Sequence, residues 1–320
     1  MNLSSVSKYF PTPEFINPRR IGVSFSDSSI KAIYLHSENN NSEIKSVVIP
    51  LEKGIISEGK IIDEKRLVTK ISALKEVFDS RFVFFTLPDE LTFVFNVSVP
   101  VDKKGDITES VSFMIEENVP FKLSETIFDF VPTGLSSVAE GYQSKVVVVA
   151  SEKSETEKFV RCVRLAGFDT LGCVHESQAI ANALLPDRFK GVVSIVHARE
   201  ERVGIYLVKD GVVYFSTIRN LEGGDYKTQF IDEYMKFLEY SIRYGKSADQ
   251  VISSIFVCGQ FDYAKKSIEA LTGIKENVGK VKLSNVWTNV LEIEKTTPSM
   301  SYEDSLNFAG PIGAVISDLT

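Results

Sequence analysis

Cysteine, histidine and tryptophan are scarce: three, three and one in 320 residues. Cys162, Cys173 and Cys258 lie far apart in apolar runs, with no CxxC or Cys/His spacing for zinc, so reduced buried thiols are expected. His36, His175 and His197 form no metal motif either. No apolar run reaches the roughly 18–20 residues of a membrane span. The opening "MNLSSVSKYFPTPEFINPRR" lacks the apolar stretch of a signal peptide and reads as a flexible lead-in over residues 1–19. A cytoplasmic protein is expected, peripheral to the inner membrane through a partner and without membrane insertion of its own. Basic charge is in deficit as well. The net charge of −7 and pI near 5.3 argue against a nucleic-acid binder, which needs a basic face. There is no GxSxG elbow, no P-loop and no HExxH helix. Glu116/Glu117 and Asp232/Glu233 are adjacent acids on helices and read as solvated faces, so no catalytic residue is nominated.

What is present is an ordinary globular composition, 43% hydrophobic and 25% charged, with length for about two domains on a prior of roughly 100–200 residues each. "IGVSFS", "IKAIYLH" and "EIKSVVIP" read as strands separated by turn residues. Leu67, Ile71, Leu74 and Val77 or Phe78 recur at helical spacing, with Asp63 as N-cap. "RFVFFTLP" is a continuous apolar strand of a covered sheet. Gly167 ends a helix that starts near Glu152. Asp210-Gly211 turns a β-hairpin. A long helix from about Asp225 to Tyr244 carries an apolar stripe, and the closing apolar helix is expected to kink at Pro311. Each half opens strand–turn–strand–strand and later repeats a strand–helix. The plan is α/β and duplicated, with an extra β-α-β-β piece near Leu91–Ala150.

These stretches resemble the PilM family of type IV pilus assembly, relatives of the cell-division protein FtsA. "IGVSFSDSSIKAIYL" is similar to that family's first hairpin, "IEENVPFKLSETIFDF" to its inserted subdomain, and "CVHESQAIANAL" to its link into the second half. "NLEGGDYKT" and "LNFAGPIGAVI" are similar to its later segments. The resemblance implies two actin-like (ribonuclease H-like) lobes around a cleft. Residues 20–90 would form the first lobe, 91–176 a peptide-docking insertion and the return, and 177–320 the second lobe. It also implies an ATP site, and a groove for the short cytoplasmic peptide of a PilN-type inner-membrane protein. Self-association is left open. A sugar-kinase-like enzyme is a more distant reading and lacks a candidate base.

In that family the first hairpin carries Asp where this chain has Ser24, and often Gly where it has Ser26. Ser26, Ser28, Ser29 and Lys31 could still meet a phosphate, although the charge of Asp27 would repel one and a solvated turn is the simpler explanation of the stretch. The second hairpin is read as Ser194-Ile195-Val196 in place of Asp-Ile-Gly, which removes a carboxylate and a close-approach glycine. Gly223-Gly224-Asp225 survives, with Asp225 also a good helix N-cap. At the adenosine turn only Gly259 remains, followed by the bulkier Gln260. Some 30–40 residues of a second-lobe insertion look absent, beyond ordinary loop variation. The expected protein is therefore a scaffold without cofactor, with Mg-ATP binding as the alternative, either as an active switch of the same machinery or as an FtsA-like division protein. Phe113, Val119, Pro120, Phe121, Phe128 and Phe130 are the candidate partner-binding residues, and the core of a small subdomain is the competing explanation.

Overall fold

The computed structural model describes residues 19–38, 41–101, 107–138, 141–221, 224–244, 252–274, 279–290, 298 and 300–317. The lead-in read at 1–19 therefore lies almost wholly outside the described residues.

The first sheet holds β1 (Arg20–Phe25), β2 (Ser29–Glu38), β3 (Asn41–Pro50), β6 (Phe82–Leu87) and β10 (Asp169–His175), in the order β3-β2-β1-β6-β10. A short β4 (Ile56–Ser57) and β5 (Lys60–Ile61) pair beside it. The second sheet repeats this order as β13-β12-β11-β14-β15. Its strands are β11 (Val192–Ala198), β12 (Arg202–Lys209), β13 (Val212–Asn220), β14 (Ser254–Gly259) and β15 (Lys280–Leu283). Each sheet thus has an antiparallel hairpin at its centre followed by strands that return parallel to the first.

Local sequence explains the first lobe. Helix α1 (Glu64–Ser72) starts where the Asp63 carboxylate accepts the Arg66 N–H at 3.0 Å. Its Leu67 and Ile71 are buried against the sheet, each stabilising by about 1.5–3 kcal/mol at most. Phe25 and Phe85 from the strands meet Phe159 of helix α3 (Lys153–Leu165), with ring centroids 5.1–6.3 Å apart. Between the strands, β7 (Thr92–Pro100), α2 (Thr108–Asn118), β8 (Thr126–Val138) and β9 (Gly141–Glu152) form a small subdomain with strand order β7-β9-β8. Helix α3 and strand β10 then return the chain to the first sheet.

Helix α4 (Glu176–Leu184) and the closing α8 (Ala309–Ile316) lie between the lobes, where one core cluster takes residues from both sheets. They cross so closely that a Cβ on Gly313 would stand 1.7 Å from the Ala179 carbonyl oxygen. The kink expected at Pro311 is absent. The break comes upstream, through α7 (Tyr302–Ser305) and a 3-10 turn over Leu306–Phe308, and Pro311 sits in the first turn of α8, where its missing N–H breaks no helical hydrogen bond. On the outer face of the second sheet pack α5 (Tyr226–Tyr244) and α6 (Phe261–Thr272). Only α5 stands between β13 and β14 among the described residues, so the second-lobe insertion is reduced.

Candidate functional site

The two central hairpins point their turns at the cleft. Each turn has three residues, Ser26–Ser28 in the first lobe and Arg199–Glu201 in the second. Register identifies which positions correspond. Ser24 pairs with Lys31 across its hairpin and with Thr86 on the parallel strand. The residue with the same relations in the second lobe is His197, which pairs with Gly204 and with Cys258. The sequence reading placed this equivalence three residues early. Ser194 is fully buried, and Val196 belongs to the core beneath α5 and α6, so neither faces the cleft. The counterpart of Ser24 is His197, and that of Ser26 is Arg199. An apolar strand carries no local mark of its register, and only the pairing fixes which residues correspond.

The first turn satisfies itself. Ser29 N–H donates to Ser26 Oγ at 3.1 Å, Ser26 Oγ lies 3.2 Å from Ser29 Oγ, and the Ser28 carbonyl accepts from Leu51 N–H at 2.8 Å. Asp27 accepts from the backbone N–H groups of Glu58 and Gly59, each at 3.0 Å. It also accepts from Arg202 of the other lobe at 3.1 Å. The same guanidinium donates to Glu90, in the turn after β6, and to Asn220 at 2.9 Å. Arg202 therefore ties the tip of the first hairpin to the start of β12. Its side chain is 16% exposed and that of Glu90 14%, so this ion pair is well shielded.

Deeper in, Arg199 Nη1 lies 3.8 Å from Glu176 Oε2, at the start of α4. Burial works against the Arg199 charge, but the carboxylates of Glu176 and Glu90 outweigh it and hold the guanidinium protonated. Burial raises Glu176 above the usual carboxylate range despite that neighbour. Lys31 donates to Asn307 Oδ1 at 2.6 Å, and burial, reinforced by Arg199, lowers its pKa to about 8. Asp89 accepts from Ser177 N–H and Oγ, both at 2.9 Å, while burial and the Glu176 charge raise it to about 7. Burial lowers His197, with Arg199 and Lys31 adding to the effect. Burial also lowers His175, to about 4. Arg199, Arg202, Glu176, Asp89 and Glu90 escaped the sequence reading, because nothing local marks a charged residue whose partner lies on a distant element.

The remaining predicted residues have structural work. Asp225 caps α5 by accepting from Thr228 N–H at 3.1 Å, and Gly224 precedes it in the turn; Gly223 lies outside the described residues. Gly259 has φ +105°, and a Cβ there would lie 2.1 Å from the Ala198 carbonyl oxygen. Gln260 Oε1 accepts from Glu200 N–H at 2.8 Å, which fastens the turn between β14 and α6 to the second hairpin.

A second concavity of about 380 Å³ lies between the inserted sheet, β10, α4 and the β12–β13 turn. Its sheet wall is the face carrying Val94, Ile127, Asp129, Val131, Val147 and Val149, which register places in shared rows. Phe128 and Phe130 stand at its border, but their face packs against α2 in the subdomain core, as does Phe121. Val119 is buried in that core and Pro120 is exposed beside it. Phe113 projects from α2, 70% exposed, away from the groove. Of the six residues predicted as one surface, Val119, Phe121, Phe128 and Phe130 thus meet in the subdomain core, and Phe113 and Pro120 are exposed outside it. Strand β8 has apolar residues on both faces, so alternation alone could not say which face was open. Among the described residues strand β8 is also an edge, paired to β9 alone.

Two lobes of one strand order, joined by crossing helices around a hairpin-lined cleft, define an actin-like protein. The family model for type IV pilus assembly protein PilM matches residues 22–246, and the chain belongs to that family. It is a type IV pilus assembly protein of the PilM kind. In fold it is similar to a chain of the PilM-PilN type IV pilus biogenesis complex, with TM-score 0.74 and 17% identity over 93% of this chain and 98% of that one. It is also similar to the cytoplasmic domain of EpsL, an inner-membrane component of the type II secretion system of Vibrio cholerae. There the TM-score is 0.50 and the identity 10%, over 75% and 82% of the two chains. No curated protein matches the sequence. No helix among the described residues is long and apolar enough to cross a membrane.

Proposed function

We propose that this protein is a pilus-assembly scaffold that recruits a PilN-type inner-membrane protein through a short peptide and no longer binds Mg-ATP. The loss of nucleotide rests on one observation, the pair of residues at each hairpin. A divalent ion at a phosphate needs carboxylate oxygens, and close approach of the backbone needs small residues. The equivalent positions carry Ser24 and His197, then Ser26 and Arg199. The one carboxylate in the first turn, Asp27, is held by Arg202 across the cleft. A magnesium triphosphate does not fit this donor set, so no step of ATP hydrolysis is assigned.

The groove beside β8 supports the adaptor half of the reading. An extended peptide there can pair with the β8 edge, which no described strand covers, while its side chains meet Ile127 and Val131, which are 42% and 47% exposed. Calorimetric titration with Mg-ATP should show no binding tighter than about 10 μM. A tighter constant would return the chain to the ATP-switch reading. Against a peptide from the cytoplasmic N-terminus of its PilN-type partner, Ile127→Asp should weaken binding at least tenfold with an unchanged unfolding midpoint. Phe113→Ser, outside the groove, should change neither, and equal loss in both variants would remove the groove assignment.

A further inference from the structure

The groove beside β8 carries one charge that the protein leaves unanswered. Its polar side chains are otherwise turned to protein partners. Gln178 Nε2 donates to Asn182 Oδ1 at 2.8 Å and to the Gly211 carbonyl at 2.9 Å, and its Oε1 accepts from Val213 N–H at 3.0 Å. Asn182 Nδ2 donates to Ser317 Oγ at 3.1 Å, Thr92 Oγ1 donates to the Asp89 carbonyl at 3.2 Å, and Ser151 Oγ lies 2.9 Å from Thr156 Oγ1. His175 Nδ1 lies 2.8 Å from Ser177 Oγ, and burial keeps the ring uncharged near neutral pH. Asp129 differs. Its Oδ1 accepts from Phe130 N–H at 2.8 Å, and its Oδ2 meets no donor among the described residues. No Lys or Arg stands in the described lining of the groove.

Position gives that carboxylate a meaning. Asp129 stands on β8 between Ile127 and Val131, and register sets these three residues opposite Val149, Ser151 and Val147 on the groove face. Side chains alternate along a strand, so a peptide added at β8 places three residues, each two apart, against that row. Such a peptide covers the Asp129 carboxylate and takes it from water, which is unfavourable unless a cation replaces the lost hydration. A neutral residue there leaves the charge unpaired, and an acidic one repels it. A charge at an open strand edge also turns away strands that cannot answer it. We infer that Asp129 sets which extended segments this groove admits: those with a Lys or Arg facing Asp129 and apolar side chains two residues to either side, facing Ile127 and Val131. The inference rests on the groove reading above and adds the charge and spacing of the occupant.

The probe is the peptide from the cytoplasmic N-terminus of the PilN-type partner, acetylated so that its cations are side chains, with variants in which each Lys or Arg is replaced singly by Gln. Calorimetric titration against the native chain should single out one variant weakened about fivefold or more. The residue replaced in it should have apolar residues two positions before and after. Against Asp129→Asn that variant and the parent should bind alike, because the charge they meet is gone. Asp129 is exposed and Asn keeps its shape, so the unfolding midpoint of Asp129→Asn should match the native one. Added salt should weaken the parent more against the native chain than against Asp129→Asn. Parent binding that is lost in Ile127→Asp but indifferent to Asp129→Asn overturns the inference and leaves the groove standing, as do Gln variants that weaken equally in both chains. Parent binding that neither substitution touches, or no parent binding, overturns both.

Discussion

Arg202 concentrates more interlobe contact than any other side chain described in the cleft. It bonds Asp27 and Glu90 of the first lobe and Asn220 beside it. Removing one partner of a shielded pair leaves the other charges poorly compensated, which is worse than losing a surface pair. Arg202→Ala should lower stability by about 2–3 kcal/mol in denaturant titration, discounted from the fully buried case for the 31% exposure of Asp27. Asp27→Asn should cost less, and the double variant should be less than additive. Asp89 gives a pH signature. Its carboxyl faces Glu176, Glu90, Tyr206 and Ser177, and burial followed by the Glu176 charge raises it to about 7. The native state then holds this proton more tightly than the unfolded chain, so stability falls as pH rises from the ordinary aspartate range through about 7. Asp89→Asn should flatten that part of the stability–pH curve, and an unchanged slope would mean that other groups set it.

At the scale of elements, the crossing of α4 and α8 is the tightest joint. Gly313 meets the Ala179 backbone, which cannot rotate aside as a side chain can. Gly313→Ala should destabilise by about 1–3 kcal/mol or more, seen as a lower unfolding midpoint, because the two helices must separate. Several elements were legible from the chain. Asp63 caps α1 as its position before Leu67 and Ile71 suggested. Asp210 and Gly211 both have positive φ, as a two-residue hairpin turn of that composition requires. These features depend on neighbours within four residues. Strand β8 was legible as a strand but not by face, because α2 covers one side and the groove wall forms the other.

For the whole molecule, the duplicated strand order was readable in outline, since hydrophobic period and turn residues repeat in both halves. Which residue of the second half corresponds to Ser24 was not. That depends on the pairing of His197 with Gly204, a relation of register rather than of composition. The sequence by itself determined two α/β lobes and the inserted subdomain, because these follow from local pattern. Tertiary structure alone decided that Arg202 clasps Asp27 and Glu90, that Arg199 turns one edge to Glu176, and that Ile127 and Val131 line the groove. Charge pairing and face selection are set by which distant surfaces meet, and the order of residues along a chain does not encode that locally.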